Sequence, residues 1–294
     1  INDRITSIWL IPSFSIQGSV NLYLLTYAYI FILIFLKDSM DIEEIIKKTK
    51  EKKELQGIPD QLVLETINKK TRLVKTELSE LKKADLRYLI KVVRAELRLL
   101  VGQFSINSKE RESLLKNRGA KSVLRTSRST LERLKDYPLL IKTINDLNVK
   151  SVLDLGCGIN PIAIANKEMK YYAYDINQSD LNIVQKFFDS QKINGKTNLI
   201  DLRNINEEFP TADICLLFKV LDLVDKKGHK KAEEIIKKIK SKYLLISFST
   251  KTLSGKSMNH PQRGWIERLL SRIGFKFNII KTKNEIFYLA EKNN

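Results

Sequence analysis

The spacing of apolar positions changes along this 294-residue chain. Leu86, Leu89, Ile90, Val93, Leu97 and Leu100 recur at three-and-four intervals, which sets them on one face of an amphipathic helix. From Ser151 onward, short apolar runs alternate with polar helical stretches, the pattern of βαβ units on a mostly parallel sheet. The runs SVLDLG, YYAYDI, TNLIDL, ADICLLFK, KYLLISFS, FKFNIIKT and EIFYLAEK predict seven strands. Only a Lys283–Asn284 turn separates the last two, so they form a hairpin and put an antiparallel strand in the sheet. The predicted class is α/β, a seven-stranded, mostly parallel sheet preceded by an all-helical amino-terminal subdomain.

Ahead of the helical region, Val20–Leu36 reads VNLYLLTYAYIFILIFL, 17 residues without a charge. That is at the lower limit for spanning a bilayer, which takes roughly 20 apolar residues. A basic start and a small-residue cleavage site, the marks of a secretory signal, are both lacking. Met40 is followed at once by the charged, amphipathic DIEEIIKKTKEKKEL, so residues 1–39 are expected to be an upstream over-extension, with a membrane anchor as the alternative. The remainder divides near Arg125 into a helical basic region, residues 40–125, and an α/β region, residues 126–294.

Charge narrows the class of partner. The net charge of +18 falls wholly on residues 40–294, because the charges of the first 39 residues cancel. The smaller region, 40–125, carries +8 of it and is the denser. Such an excess favours a polyanion, nucleic acid foremost, over a neutral small molecule. Opposite the apolar face of the helix, Arg87, Lys91, Arg94 and Arg98 fall at i, i+4, i+7 and i+11 and align four cations in one stripe. With the clusters at Lys47–Lys53, Lys69–Lys75 and Lys109–Lys121, this predicts a module that tracks the phosphates of a nucleic acid, with no zinc-finger or RNP-type signature to say which; for any single helix, a solvated face is the competing reading. Cys157, Cys215, His229 and His260 are too few and too scattered for a disulfide framework or a metal cluster. No metal is expected, and a reducing, cytoplasmic location is.

Candidate chemistry gathers at VLDLGCGIN, Val152–Asn160. Asp154, Gly156, Cys157 and Gly158 follow the first strand, Asp175 with Ile176 ends the second, and Asp201 with Leu202 ends the third. In doubly wound sheets the ligand lies at the carboxyl ends of the strands, and an acidic group ending strand two accepts hydrogen bonds from ribose hydroxyls. Asp154 and the two glycines are the expected cofactor turn, Asp175 the ribose contact, and Asp201 with Leu202 the adenine edge. Pro161 and Ile162 stand where a dinucleotide motif has its third glycine, so an adenosyl cofactor without phosphates fits better.

This arrangement resembles a class I S-adenosylmethionine-dependent methyltransferase. Four strings are similar to the aminoglycoside-resistance 16S rRNA guanine-N7 methyltransferases: STLERLKDYP at Ser129–Pro138, DICLLFKVLDLVDKKG at Asp213–Gly228, SFSTKTLSGK at Ser247–Lys256 and NEIFYLAEK at Asn284–Lys292. The resemblance implies a Rossmann-like fold and S-adenosyl-L-methionine as cofactor. It implies 16S rRNA of the assembled small ribosomal subunit as partner, docked through the helical region, and guanine N7 in the decoding-site helix as target, a modification linked to antibiotic resistance. It further implies that Arg133 lies near the methionine carboxylate, and that Lys219, Lys251, Lys256 and Glu285 lie near the target nucleotide. Guanine N7 carries a free lone pair, so no general base is expected. The string LLFK after strand four differs from the Asn/Asp-Pro-Pro-aromatic string of exocyclic-amine enzymes, and Cys215 follows Ile214 inside an apolar strand, as a core residue does. No obligate protein partner is expected. A small-molecule methyltransferase and a non-catalytic RNA-binding protein with a degenerate methyltransferase fold are the alternatives.

Overall fold

The computed structural model describes residues 42–74, 82–101, 108–224, 228–252 and 255–293; the hydrophobic segment 1–39 lies outside them. Seven strands form one sheet: β1 Ser151–Leu155, β2 Lys170–Asp175, β3 Gly195–Leu199, β4 Ile214–Phe218, β5 Tyr243–Ser249, β6 Phe275–Lys281 and β7 Glu285–Lys292. Their order is β3-β2-β1-β4-β5-β7-β6. The first five pair in parallel, whereas β7 runs antiparallel to both β5 and β6. The β6–β7 hairpin closes on the predicted turn: Thr282 N donates to Glu285 O at 2.9 Å, leaving Lys283 and Asn284 as the loop. The third strand starts two residues before the run TNLIDL and stops at Leu199. A turn takes over at Asp201, whose carbonyl accepts from Asn204 N.

Strands β1, β4 and β5 are covered on both faces, which is why they read as unbroken apolar runs. Successive side chains feed opposite cores. Leu153, Cys215 and Leu244 join one core with residues of the helices Lys230–Lys238 and Gly264–Arg272. Val152, Leu216 and Leu245 join the other with residues of Tyr137–Asp146 and Gln178–Gln191. Strand order reverses between β1 and β4, so the loops leaving their carboxyl ends diverge and open the crevice in which such sheets bind ligands.

The helices Ile42–Lys50, Asp60–Val74 and Lys83–Val101 enclose a third core. The predicted stripe supplies Leu86, Leu89, Ile90, Val93 and Leu97 to it, together with Ile45, Leu55, Ile58, Val63 and Ile67; the side chain of Leu100 lies outside the described set. Residues 108–124, which the basic clusters group with this region, pack elsewhere. Val123 and Leu124 are buried in the sheet's core, with Leu114 and Leu115 packed against it. The helical core therefore ends before Ser108, because the apolar side chains beyond that point face the sheet.

This helical core meets the sheet at the loop after β2. Ile176 packs against it, and Gln178 N donates to Gly57 O at 2.9 Å. A Cβ at Gly57 would stand 2.0 Å from Asn177 Oδ1, so only glycine permits this approach. Among the described residues no helix is long and apolar enough to cross a membrane.

Candidate functional site

The turn after β1 is built on glycine conformations. Gly156 and Gly158 have φ of +71° and +49°, values that L side chains rarely adopt. Gly156 N and Cys157 N both donate to Tyr174 O on β2, at 2.8 and 3.0 Å, pinning the turn to the neighbouring strand. A Cβ at Gly156 would lie 2.6 Å from Val220 Cγ2. The chain thus turns sharply and leaves backbone, not side chain, at the mouth of the crevice.

Asp175 closes one side of this turn. Its Oδ2 accepts from Gly158 N at 2.7 Å and its Oδ1 from Asn177 N at 2.8 Å. Burial and the adjacent Asp180 carboxylate push its pKa up to about 7, against the lowering by those two N–H groups. Its neighbour Ile176 points away, into the helical core.

Beneath the turn runs a buried polar chain. Asp154 is fully buried, and its Oδ2 accepts from Asn160 Nδ2 at 2.9 Å and from the Tyr171 hydroxyl at 2.8 Å. Burial raises its pKa to about 6. Asn160 Oδ1 in turn accepts from the Tyr137 hydroxyl at 3.0 Å and from Arg133 Nη1 at 3.3 Å. Asp154 therefore braces the turn from below. Its Oδ1 has no hydrogen-bond partner among the described residues.

Arg133 and Glu285, expected on opposite ligands, hold each other. Arg133 Nη2 and Nε donate to Glu285 Oε2 at 2.9 and 3.2 Å, and both side chains are buried. The guanidinium also lies 4.6 Å over the Phe218 ring. Burial opposes its charge, yet Glu285 and Tyr137 together more than offset that and hold its pKa above the ordinary value. Glu285 also accepts from Ser247 Oγ at 2.7 Å, and its Oε1 lies 3.2 Å from Lys219 Nζ. Glu285, expected near the target nucleotide, thus lies inward against Arg133, which would be costly to leave unpaired in this core. Lys219, just past β4 with φ +58°, also pairs with Glu132 at 2.8 Å.

The remaining expected residues divide. Lys251 and Lys256 lie on the loop after β5, where Thr252 N donates to Lys256 O at 2.8 Å; Lys251 is half-buried and Lys256 exposed. That loop sits beside the β6–β7 turn, since Thr250 N donates to Asn284 O at 3.0 Å. Asp201 is engaged by its own neighbour: Arg203 Nε and Nη2 reach its two carboxylate oxygens at 2.9 and 2.7 Å. The Leu202 side chain is buried in the sheet's core rather than at an edge. Both cysteines are buried, and burial holds the Cys157 and Cys215 thiols well above their ordinary pKa, hence neutral.

The cationic stripe also divides. Arg87 and Lys91 are exposed, but Arg94 Nε donates to Thr49 O at 3.2 Å and Arg98 Nε to Glu54 Oε1 at 2.7 Å. These two arginines close the helical core, because the chain at residues 48–54 lies against that face. Asn160, Glu132, Tyr171, Asp180 and Arg111 were missed in the sequence. Asn160 and Glu132 had a local signal, the first ending GCGIN and the second adjoining Arg133. Among the described residues no cluster of three or more His, Cys, Asp or Glu could hold a metal ion.

A glycine turn at the strand-order reversal, an acid ending β2 and this sheet order define a Rossmann-like class I methyltransferase. Residues 76–289 match the ribosomal RNA methyltransferase (FmrO) family. The chain belongs to that family. A 16S rRNA (guanine(1405)-N(7))-methyltransferase of Frankia casuarinae is 24% identical over 147 residues, 48% of this chain and 52% of that one. An enzyme of the same name from Serratia marcescens is 27% identical over 180 residues, 59% and 70% of the two chains. The first of these matches thus spans about half the length of its relative. Two solved structures share the fold: the 16S rRNA methyltransferase RmtF in complex with S-adenosyl-L-homocysteine, TM-score 0.70 and 21% identity over 86% of this chain and 100% of that one, and the 16S rRNA methylase RmtB, TM-score 0.67 and 21% identity over 86% and 99%.

Proposed function

We propose that this chain transfers the methyl group of S-adenosyl-L-methionine to N7 of a guanine in 16S rRNA, on the assembled small ribosomal subunit. The observation that carries the reading is the Gly156–Gly158 turn capped by Asp175, at the carboxyl ends of β1 and β2, in a chain of an rRNA methyltransferase family. The residues fit an adenosyl cofactor: the turn has no side chain to obstruct it, and a carboxylate suited to paired ribose hydroxyls stands beside it. When bound, the cofactor supplies an electrophilic methyl on a sulfonium.

The protein's own work is then alignment. Asp175, ionised, accepts from the ribose hydroxyls while Gly156 and Gly158 let the backbone come close. Arg133 offers a guanidinium already oriented by Glu285 and Asn160, suited to the cofactor's carboxylate. Lys219, Lys251 and Lys256 lie on the loops after β4 and β5 and suit phosphates or base edges of a positioned nucleotide. N7 needs no proton removed, so the neutral, buried Cys157 and Cys215 take no part. The base is paired in a deep, narrow groove and would be extruded to reach the crevice. Arg87 and Lys91, exposed on the helical region, suit the phosphates that would fix register on the subunit.

Labelled methyl transfer onto intact small subunits, free 16S rRNA and a panel of small catechols and amines tests the reading. Label on the intact subunit, weaker or absent on free rRNA, is the result expected; label only on small molecules would replace it. Cofactor binding without transfer to any substrate would favour a degenerate RNA-binding protein instead.

A further inference from the structure

Arg111 belongs to a basic cluster expected to meet phosphates, yet it is 1% exposed. Its Nη1 donates to Asp180 Oδ1, and its Nε donates to Thr126 Oγ1 at 2.9 Å. Asp180 lies in the first turn of the helix Gln178–Gln191, whose cap Asn177 accepts from Ser179 N at 3.0 Å. Asp180 Oδ2 would stand 3.9 Å from a Cβ at Gly158, and Gly158 N donates to Asp175 at 2.7 Å. One buried guanidinium therefore sits behind the lip on which the ribose-binding carboxylate is built.

We propose that Arg111 is a positioning residue for the cofactor site, neutralising Asp180 and holding it off so that Asp175 can carry the negative charge that ribose hydroxyls require. The inference rests on the cofactor reading above. The charged groups facing Asp175 are Asp180 on the helix and Asp154 on β1, and both disfavour its ionised form. Cys157, in the turn, is a neutral thiol. Asp180 is the stronger of the two carboxylate effects, and of the two only Asp180 has a buried cation directly upon it, through Arg111. Without Arg111, Asp180 would stand beside the Gly158 turn with no buried cation upon it, and Asp175, whose pKa is already about 7, would shift from half to mostly protonated at neutral pH. Glu112, the next residue along, pairs with Lys186 at 2.6 Å between the helices Ser108–Arg118 and Gln178–Gln191, so the latch has an exposed neighbour that a control can remove.

The test compares wild type, Arg111→Met and Arg111→Met/Asp180→Asn in the full chain. Calorimetry with S-adenosyl-L-homocysteine between about pH 5.5 and 8.5 reads affinity, and carboxyl NMR reads the titration of Asp175 directly. Arg111→Met should raise Kd at pH 7 about fivefold and shift both the affinity profile and the Asp175 titration upward by about one pH unit. The double variant, which lacks the charge Arg111 offsets, should recover Kd to within about threefold, with Asp175 titrating at or below the wild-type position. Removing the outer pair with Glu112→Gln should change neither. An unshifted titration in Arg111→Met, or a double variant that stays as weak as the single, would overturn the proposal. Should Arg111→Met not fold, the milder Arg111→Gln takes its place in the same comparison, with the same shifts expected and the same two outcomes overturning the proposal. If the wild type binds no cofactor, the functional reading fails, while the Asp175 titration still judges the latch.

Discussion

At the scale of single residues, Asp175 makes the site pH-dependent. Its pKa in the fold is about 7, raised by burial and by Asp180 from 3.8. On the proposed cofactor reading the ionised carboxylate is the stronger acceptor for ribose hydroxyls, so cofactor affinity should rise as pH climbs through 7. Between pH 8 and pH 6 the ionised fraction drops about tenfold, and Kd for S-adenosyl-L-homocysteine should rise by about the same factor. A flat calorimetric profile would contradict this. For stability the sign is reversed: a raised acid favours the fold while protonated, so Asp175 contributes most below its unfolded value and that contribution is lost as pH rises toward 7. Glu285 makes a second prediction. It is buried against Arg133 and lies beside the partly exposed Lys219, and removing one member of such a group leaves charge uncompensated. Glu285→Ala should lower unfolding free energy by about 3–5 kcal/mol in a denaturant titration, and Glu285→Gln by less. Equal stability in all three proteins would mean that Arg133 finds another partner.

At the scale of elements, the helical core meets the loop after β2 through the packing of Ile176 and a close approach at Gly57. A Cβ at Gly57 collides with Asn177, which caps the helix carrying Asp180. Gly57→Ala should cost about 1–3 kcal/mol through overpacking and should weaken cofactor binding as well, because the loop it displaces begins at Asp175. Leu97→Ala, deep in the helical core, should cost about 2–5 kcal/mol and change Kd much less than Gly57→Ala. Parallel melting and calorimetry would separate the two; matching effects on Kd would deny any special role to the Gly57 contact. Within the helix Lys83–Val101, Arg87→Ala/Lys91→Ala should lower the salt slope of subunit binding by about two without loss of stability. Arg94→Ala/Arg98→Ala should instead destabilise the fold, since both side chains hold residues 48–54.

At the scale of the whole molecule, what the sequence revealed follows the range of the interactions. The strands were legible because β1, β4 and β5 are buried on both faces, and the hairpin because Lys283–Asn284 is a local turn. The glycine turn and Asp175 were legible because the strand-and-turn order around them is short. The pairings that aim the site were hidden. Arg133 and Glu285 are 152 residues apart, and Arg111 and Asp180 are 69 apart, so helical period shows which way each residue faces but not what the fold lays against it. For the same reason four aligned cations looked alike, although two of them bind the chain at residues 48–54. The division near Arg125 was drawn from charge, whereas packing follows the apolar side chains of residues 114–124 onto the sheet.

On the proposed reading the carboxyl ends of β1, β2 and β4 take the cofactor and one base, while the separately cored helical region meets the rest of a large RNA. Many weak phosphate contacts would fix register while the crevice tests one base. The most direct test is to methylate assembled small subunits with labelled S-adenosyl-L-methionine, digest the 16S rRNA and identify the labelled nucleoside and its position. Label confined to one 7-methylguanosine in the decoding-site helix is the predicted result. Label on another base atom, or spread over many sites of the rRNA, would contradict it.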